Sequence, residues 1–171
     1  MKKDVLVKSV LAAMFAALTY VATTVVQIAI PATGGYINFG DCNVLLGGFI
    51  LGPVYGALAG GIGSALADIL SVHAVYAIGT FIIKAAMAAV AAILYRNLRK
   101  KIKLSTVISA IVGEIIMVAG YFIYESVFLK YGLAAAGAIA GNSIQAVAGA
   151  VSSVLLYKAL YAVPQIKNIS Y

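Results

Sequence analysis

The stretch NVLLGGFILGPVYGALAGGIGSALADILSV (43–72) decides the fold, because it is apolar, rich in glycine and has an unusual length. It holds about 30 residues, whereas one membrane-spanning helix needs about 20 and two need about 40. Gly52-Pro53 divides it, since proline lacks a backbone donor and clashes with the preceding turn inside a helix. We therefore predict two short or tilted membrane helices, near 43–52 and 54–71.

The composition indicates an integral membrane protein. Hydrophobic residues make up 64% of the chain and charged residues 10%, against about 25% charged residues in a soluble domain. With 171 residues the natural reading is one domain, 1–171, without room for a separate soluble catalytic domain. The net charge of +7 does not indicate a nucleic-acid partner, because the basic residues flank apolar runs, as topology signals do.

Further apolar runs lie on both sides of the central stretch. They predict helices over 8–30, 76–95, 105–129 and 134–162, with Ser105 as the N-cap of the fifth helix. The segment from Ala32 to Asp41 is rich in turn formers and is interpreted as a structured loop. The predicted fold class is an all-α integral membrane protein, a compact bundle of six transmembrane helices in a lipid bilayer.

The basic residues predict the orientation of this bundle. With six spans they all fall on one side, apart from Lys130, and the positive-inside rule makes that side cytoplasmic. Both termini are predicted to be cytoplasmic, and the loops 31–42, 72–75 and 130–133 external. The predicted location is the cell membrane, with several passes. The basic residues on the cytoplasmic side are Lys2, Lys3, Lys8, Arg96, Arg99, Lys100, Lys101, Lys103, Lys158 and Lys167.

Polar residues inside the apolar segments predict a binding site. A charge near the middle of a bilayer costs roughly 2.5–3.5 kcal/mol, so its presence points to a solute or an ion. Glu114, Tyr121 and Glu125 share one helix face, as do Asn142 and Gln145 on the next helix. We predict a cavity open to the exterior. Its candidate substrate-binding residues are Tyr36, Asn38, Asp41, Asp68, His73, Tyr76, Lys84, Glu114, Tyr121, Glu125, Asn142 and Gln145.

Structural roles remain open for several of these residues. Lys84 is equally well explained by an ion pair with Asp68 or Glu114 that holds the bundle together. Glu114 can serve as a hydrogen-bond partner between helices, and His73 as an interfacial residue. One histidine and one cysteine do not make a metal site, and no ATPase, nucleophile or metalloprotease motif is present. The chain is predicted to be no enzyme and to need no metal or cofactor.

Small residues cluster on two of the predicted helices. Close packing of small residues drives helix association in lipid, where the hydrophobic effect between helices is weak. The set Gly56, Gly60, Gly63 and Ala67 is explained by packing within the bundle. The first helix carries the set Ala12, Ala13, Ala16 and Ala17, which fits either the same role or docking onto another membrane protein.

Three segments carry a resemblance to a known family. They are INFGDCNVLLGGFILGPVYGALAGGIGSALADIL (37–70), YAIGTFIIKAAMA (76–88) and GEIIMVAGYFIYE (113–125). Together with the length and the alanine-rich first helix, they are similar to a substrate-binding S component of an energy-coupling factor (ECF) vitamin transporter. The branch they resemble includes proteins assigned to vitamin B6 and to hydroxymethylpyrimidine, the thiamin precursor.

The resemblance implies a mechanism and a set of partners. S components bind a vitamin from outside, dock through the small-residue face of helix 1 onto a membrane T component with two cytoplasmic ATPases, and topple to release the vitamin inside. Ala12, Ala13, Ala16 and Ala17 match that face, and the loop 31–42 matches the external lid. The chain lacks the tryptophan that often stacks on vitamins, so Tyr36, Phe39, Tyr76 and Tyr121 are the candidates for stacking.

The predicted site is net acidic, which favours a neutral or cationic flat ring. We rank vitamin B6 first and hydroxymethylpyrimidine second. The rival class is a self-sufficient small secondary transporter or channel that uses Glu114, Glu125 and Lys84 as a proton relay. A membrane enzyme is disfavoured, because the sequence shows no nucleophile–base pair and no metal set.

Overall fold

The described part of the chain forms six helices and one small β-hairpin. A computed structural model describes residues 2–164 and 166. The helices are α1 (Lys2–Val25), α2 (Gly40–Leu51), α3 (Pro53–Ile69), α4 (Ala77–Leu98), α5 (Ser105–Ile123) and α6 (Ile139–Tyr161). The hairpin strands are β1 (Ile28–Ile30) and β2 (Gly35–Ile37). Short 3₁₀ segments, Ala74–Tyr76 and Gly132–Ala138, precede α4 and α6, and a π-helical turn, Tyr124–Phe128, follows α5.

Helix α2 forms the centre of the bundle. Its twelve residues are buried with the exception of Asn43, and it packs against α1, α3, α4 and α6. A helix that is apolar all round is stable only when protein or lipid covers every face. At 1.5 Å per residue, α2 is about 18 Å long and is covered by its neighbours. It therefore supplies the core on which the other helices pack.

The break between α2 and α3 lies at the predicted Gly52-Pro53 step. Gly52 has a φ of 84°, a conformation that residues with a Cβ rarely adopt. Pro53 is the first residue of α3, where its missing N–H costs no helical hydrogen bond. The chain can thus reverse within two residues and bring α3 back along α2.

Glycines on α3 allow the helices to approach closely. A Cβ atom at Gly56 would lie 2.6 Å from the Cα atom of Gly48 on α2, and one at Gly60 would lie 2.9 Å from Val44. A Cβ at Gly63 would overlap the backbone carbonyl of Ala16 on α1. The glycine face of α3 is therefore used for packing inside the bundle, as the small-residue spacing indicates.

Four helical segments are long and apolar enough to cross a membrane. They are Asp4–Val25, Ala74–Leu98, Ser105–Phe128 and Gly132–Tyr161. Helices α2 and α3 have 12 and 17 residues, and so are shorter than an ordinary span. The protein is thus a helical, multi-pass membrane protein. The prediction that all six helices cross the bilayer stays a prediction.

The structure corrects three details of the sequence-based fold. The first helix ends at Val25 and not near Ile30, because β1 pairs with β2 in an antiparallel hairpin, so the fold is not purely α-helical. Asp41 lies in the first turn of α2 and not in an outer loop. Ser105 is the first residue of α5, and the N-cap position is Leu104, which makes no capping side-chain bond.

Two of the predicted basic clusters lie at one end of the molecule. Arg99, Lys100 and Lys103, from the loop between α4 and α5, line the same groove as Lys158 near the end of α6. The hairpin lies at the other end, where Ile30 packs beside Gly141 at the start of α6. Lys167 lies outside the described residues. The grouping of these charges agrees with the predicted topology, whereas the sidedness stays a prediction.

Candidate functional site

A small buried cavity lies at the hairpin end of the bundle. Its volume is about 20 Å³, room for about one water molecule. Residues from the hairpin, α3, α4, the end of α5 and the start of α6 surround it. The lining residues are Ile30, Gly35, Tyr36, Asn38, Asp68, Tyr76, Thr80, Tyr121, Glu125, Asn142 and Gln145.

Asp68 reaches the cavity from the last turn of α3 and is 2% exposed. The hydroxyl of Tyr36 on β2 donates a hydrogen bond of 2.6 Å to its Oδ1 atom, whereas Oδ2 has no partner among the described residues. Burial and the nearby Asp68 carboxylate raise the pKa of Tyr36 above its usual range, so its phenol stays a donor. The Tyr36 ring also packs against His73, with centroids 4.3 Å apart.

Glu125 reaches the cavity from the π-helical turn after α5 and is also 2% exposed. The Tyr76 hydroxyl lies 2.8 Å from the Thr33 carbonyl oxygen and 3.2 Å from Glu125 Oε1, so its single proton is shared between these two acceptors, of which Thr33 is the closer. Glu125 Oε2 has no partner within the described ranges. A π-helical turn is rare and is frequently found at functional sites. This turn therefore marks Glu125 as a positioned residue.

Tyr121 supplies an aromatic surface in the wall of the same cavity. Its hydroxyl lies 3.0 Å from Thr80 Oγ1 on α4, within hydrogen-bond distance. The ammonium of Lys84 lies 5.3 Å from the centre of the Tyr121 ring, at the distance of a cation–π contact. Tyr76, Thr80 and Lys84 follow one another at four-residue intervals, so they share one face of the α4 segment.

A buried polar network lies next to the cavity. Lys84 forms an ion pair with Asp41, and this corrects the predicted pairing with Asp68 or Glu114. Gln145 Nε2 donates to the second oxygen of Asp41 at 2.6 Å, and Gln145 Oε1 accepts from the backbone N–H of Asn38 at 2.7 Å. The network ties α2, α4 and α6 to the residue that follows the hairpin.

Other predicted site residues lie apart from the cavity. Glu114 is 3% exposed, neither of its carboxyl oxygens has a partner in residues 2–164 and 166, and it lines an apolar groove between α5 and α6. His73 packs on Tyr36 without lining the cavity, and Phe39 is 52% exposed. Asp41 and Lys84 do not line the cavity, but they contact Gln145 and Tyr121, which do. The binding role of all these residues stays a prediction.

Three lining residues escaped the sequence-based prediction: Ile30, Gly35 and Thr80. Thr80 could have been found, since it lies midway between Tyr76 and Lys84 at helical spacing. Nothing in the sequence marked Gly35 as a lining residue, because its place in the wall depends on Glu125, which is distant in sequence. A Cβ atom at Gly35 would lie 3.3 Å from Glu125 Oε1. Ile30 was assigned to the first helix, and the hairpin that places it was not predicted.

The chemistry of the site suits recognition of a small polar ring. No group of three or more His, Cys, Asp or Glu side chains that could hold a metal occurs in the described part of the chain. Aromatic side chains can cover ring faces, while carboxylates and amides can bind ring edges. A family model described as "ECF-type riboflavin transporter, S component" matches residues 4–162. The chain belongs to this family. As an S component it is a vitamin-binding subunit of a membrane transporter, which agrees with the prediction that it is no enzyme.

This S component also resembles an archaeal protein of unassigned activity. An "Uncharacterized protein in gap 3'region" from Pyrococcus woesei is 37% identical to it over 134 residues. The match covers 77% of this chain and 86% of the relative. The match therefore takes in most of both sequences, while the relative's description says nothing of a ligand.

Proposed function

We propose that the protein captures a small aromatic vitamin from outside the cell, in the cavity beneath the β-hairpin. A membrane T component and two cytoplasmic ATPases would then drive its import. The observation that carries this proposal is the buried cavity itself, where Asp68 and Glu125, each held by a tyrosine hydroxyl, lie beside the ring of Tyr121. Such a combination of aromatic and polar groups fits a ring with polar edges.

Vitamin B6 is the proposed ligand, and hydroxymethylpyrimidine is second. Both are single flat rings with hydroxymethyl or amino groups. The phenol rings of Tyr36, Tyr76 and Tyr121 can cover the faces of such a ring. Asn142 and Gln145 can bind groups on its edge.

Riboflavin, named in the description of the family model, is a third candidate. The edge of its three-ring system presents mostly hydrogen-bond acceptors, and carboxylates such as Asp68 and Glu125 are acceptors too when ionised. A three-ring ligand also requires a much larger opening than a single ring in a cavity of about 20 Å³. Both arguments favour the smaller ligands.

The hairpin is the proposed lid of the site. A cavity with room for about one water molecule admits a ring only if part of its wall moves outward. The hairpin is the shortest element of that wall, and it is joined to α2 through residues 38–39. Opening would separate Tyr36 from Asp68 and Thr33 from Tyr76. Closing would restore both hydrogen bonds over the bound vitamin.

The proposed docking face for the T component lies on α1. Ala13 and Ala17 are exposed, and together with Ala12 and Ala16 they line a groove of about 620 Å³ between α1 and α3. Small side chains in such a groove let a partner helix approach closely. The basic end of the bundle would face the cytoplasm, with both termini. Tags at either terminus should resist external protease in intact cells, and their cleavage would contradict this orientation.

Calorimetric titration of the detergent-purified protein tests the binding proposal. The panel comprises pyridoxamine, pyridoxal, pyridoxine, hydroxymethylpyrimidine and riboflavin. We expect submicromolar binding of a vitamin B6 form or of hydroxymethylpyrimidine. If only riboflavin binds tightly, the protein is still a vitamin-binding subunit, but its ligand is riboflavin and not vitamin B6 or hydroxymethylpyrimidine. Binding of none would remove our choice of ligand and favour another vitamin or the ion-relay alternative.

A further inference from the structure

The carboxylates that line the cavity have no basic partner on its wall. Among the described residues that line it, none is a lysine or an arginine. The ammonium of Lys84 lies behind the wall, where its ion pair with Asp41 offsets its charge. His73 packs on the outer side of Tyr36 and its ring nitrogen Nδ1 lies 3.3 Å from Ser71 Oγ. No cationic side chain among the described lining residues therefore faces Asp68 or Glu125, although His73 and Lys84, which do not line the cavity, lie near enough to attract the Asp68 carboxylate.

Both carboxylates lie within hydrogen-bond distance of a tyrosine hydroxyl, at 2.6 Å for Asp68 and at 3.2 Å for Glu125. Each has one oxygen that accepts from a tyrosine hydroxyl, Tyr36 for Asp68 and Tyr76 for Glu125. The second oxygen of each is buried and has no donor within 3.5 Å in residues 2–164 and 166, while Thr80 and Thr33 lie near enough to favour the charged forms of Asp68 and Glu125, respectively. A buried acceptor without a donor is costly, and a charged one more so. Two oriented acceptors are thus available to groups that enter the cavity.

These acceptors approach the cavity from two sides. Asp68 lies at the end of α3, and Glu125 lies just after α5. Helix α4 packs against both α3 and α5, and the cavity is lined by its Thr80 and by Tyr76 in the 3₁₀ segment before it. A ring bound beside Tyr121 would therefore meet one carboxylate at each of two separate edges.

We infer that the ligand is an aromatic ring compound that presents hydrogen-bond donors at two ring edges, one of them a positively charged amino group on a ring substituent. The inference rests on the proposed function and narrows its substrate class. Within vitamin B6 it selects pyridoxamine, whose aminomethyl group is protonated at neutral pH, over pyridoxine, which carries a hydroxymethyl group there.

The matched pair of pyridoxamine and pyridoxine tests the inference without any mutation. The two molecules have the same ring and differ in one substituent. A hydrogen bond between charged groups contributes more than one to a neutral donor, so we expect pyridoxamine to bind about 10- to 100-fold more tightly. The measurement is calorimetric titration of both ligands at one pH and one salt concentration.

Conservative variants of the two carboxylates test which of them is responsible for the preference for pyridoxamine. Asp68→Asn and Glu125→Gln keep an oxygen that can accept from Tyr36 or Tyr76, and they remove the negative charge. At least one of them should reduce the preference for pyridoxamine about tenfold while pyridoxine affinity changes much less. The matched control is Asp4→Asn, which removes a carboxylate in the first turn of α1, at the end of that helix away from the hairpin. It should keep the preference for pyridoxamine.

The possible outcomes separate the inference from the proposed function. Equal affinity for pyridoxamine and pyridoxine, or tighter binding of pyridoxine, overturns the inference while the vitamin-binding function stands. A preference for pyridoxamine that survives in both variants also overturns it, because the charge would then be recognised elsewhere. If no amine, hydroxymethyl compound or riboflavin binds, the proposed ligand class fails together with the inference.

Discussion

At the scale of single residues, the ion pair between Lys84 and Asp41 joins α4 to α2 beside the cavity. Both side chains are at most 2% exposed, so neither charge is solvated by water. Removing one partner leaves an uncompensated buried charge, which costs about 3–5 kcal/mol. We expect Lys84→Met to destabilise the protein by about that amount, measured by chemical unfolding in detergent.

The double variant provides the control for this prediction. Asp41→Asn combined with Lys84→Met removes both charges and should recover most of the lost stability. Lys100→Met, at an exposed position, should change stability by less than about 0.5 kcal/mol. If Lys84→Met alone is as stable as the unmodified protein, the buried pair is not structural, and Lys84 is free to act on a ligand.

The cavity wall gives a second prediction at this scale. Tyr121, Glu125 and Asn142 line the cavity from α5, the π-helical turn and α6. Alanine at each position removes a side chain that is proposed to contact the vitamin. We expect each variant to weaken binding at least about tenfold, or 1.4 kcal/mol, in calorimetric titration.

A matched variant at the opposite end separates binding from folding. Tyr157→Phe removes a buried hydroxyl that lies 2.8 Å from the Tyr95 hydroxyl, far from the cavity. It should leave ligand affinity within about threefold of the unmodified protein. Unchanged affinity in all three cavity variants would place the binding site elsewhere.

At the scale of elements, the hairpin is the part of the structure that the sequence predicted least well. The break at Gly52-Pro53 and the six helices follow from apolar length and proline chemistry, which act within a short segment. Strands of three residues carry no usable periodicity, and IAI (28–30) simply extends the apolar run of α1. The hairpin forms because β1 and β2 satisfy each other's backbone groups, which no count of apolar residues reveals.

If the hairpin is the lid, its amides should report ligand binding. Residues 28–37 should exchange amide hydrogens faster than the buried centre of α2, because opening requires few contacts to break. A saturating vitamin should slow their exchange by at least about tenfold, measured by mass spectrometry. Amides of residues 44–51 provide the internal control. Equal exchange of the hairpin with and without a bound ligand would show that it does not cover the site.

The small-residue groove on α1 leads to a prediction about docking. Ala13→Leu adds bulk at an exposed position of the groove, so it should leave vitamin binding by the isolated subunit intact and block transport. Ala16 is less suitable for this test, because its backbone carbonyl packs on Gly63 and a larger side chain there would also disturb packing within the bundle. Val10→Leu, on the exposed surface of α1 away from the groove, is the control. Normal transport by Ala13→Leu would place the docking face elsewhere.

At the scale of the whole molecule, part of the site could be predicted because polar residues are costly in lipid. Asp68, Glu125 and Asn142 stand out in apolar segments, and the structure brings them to one cavity. The partner of Lys84 could not be predicted, because Asp41 appeared to belong to a loop while it lies inside α2. Which of two nearby acids pairs with a lysine depends on helix ends and packing, and these become visible only in three dimensions.

The central claim is that the protein is a solute-binding subunit that depends on partners for transport. The most direct test is uptake of a labelled vitamin that the purified protein binds, in cells that lack their own route for it. We predict no accumulation with the chain alone, and accumulation that requires ATP when a T component and two ATPases are present. Accumulation by the chain alone, abolished by collapse of the proton gradient, would contradict the account and identify a self-sufficient transporter.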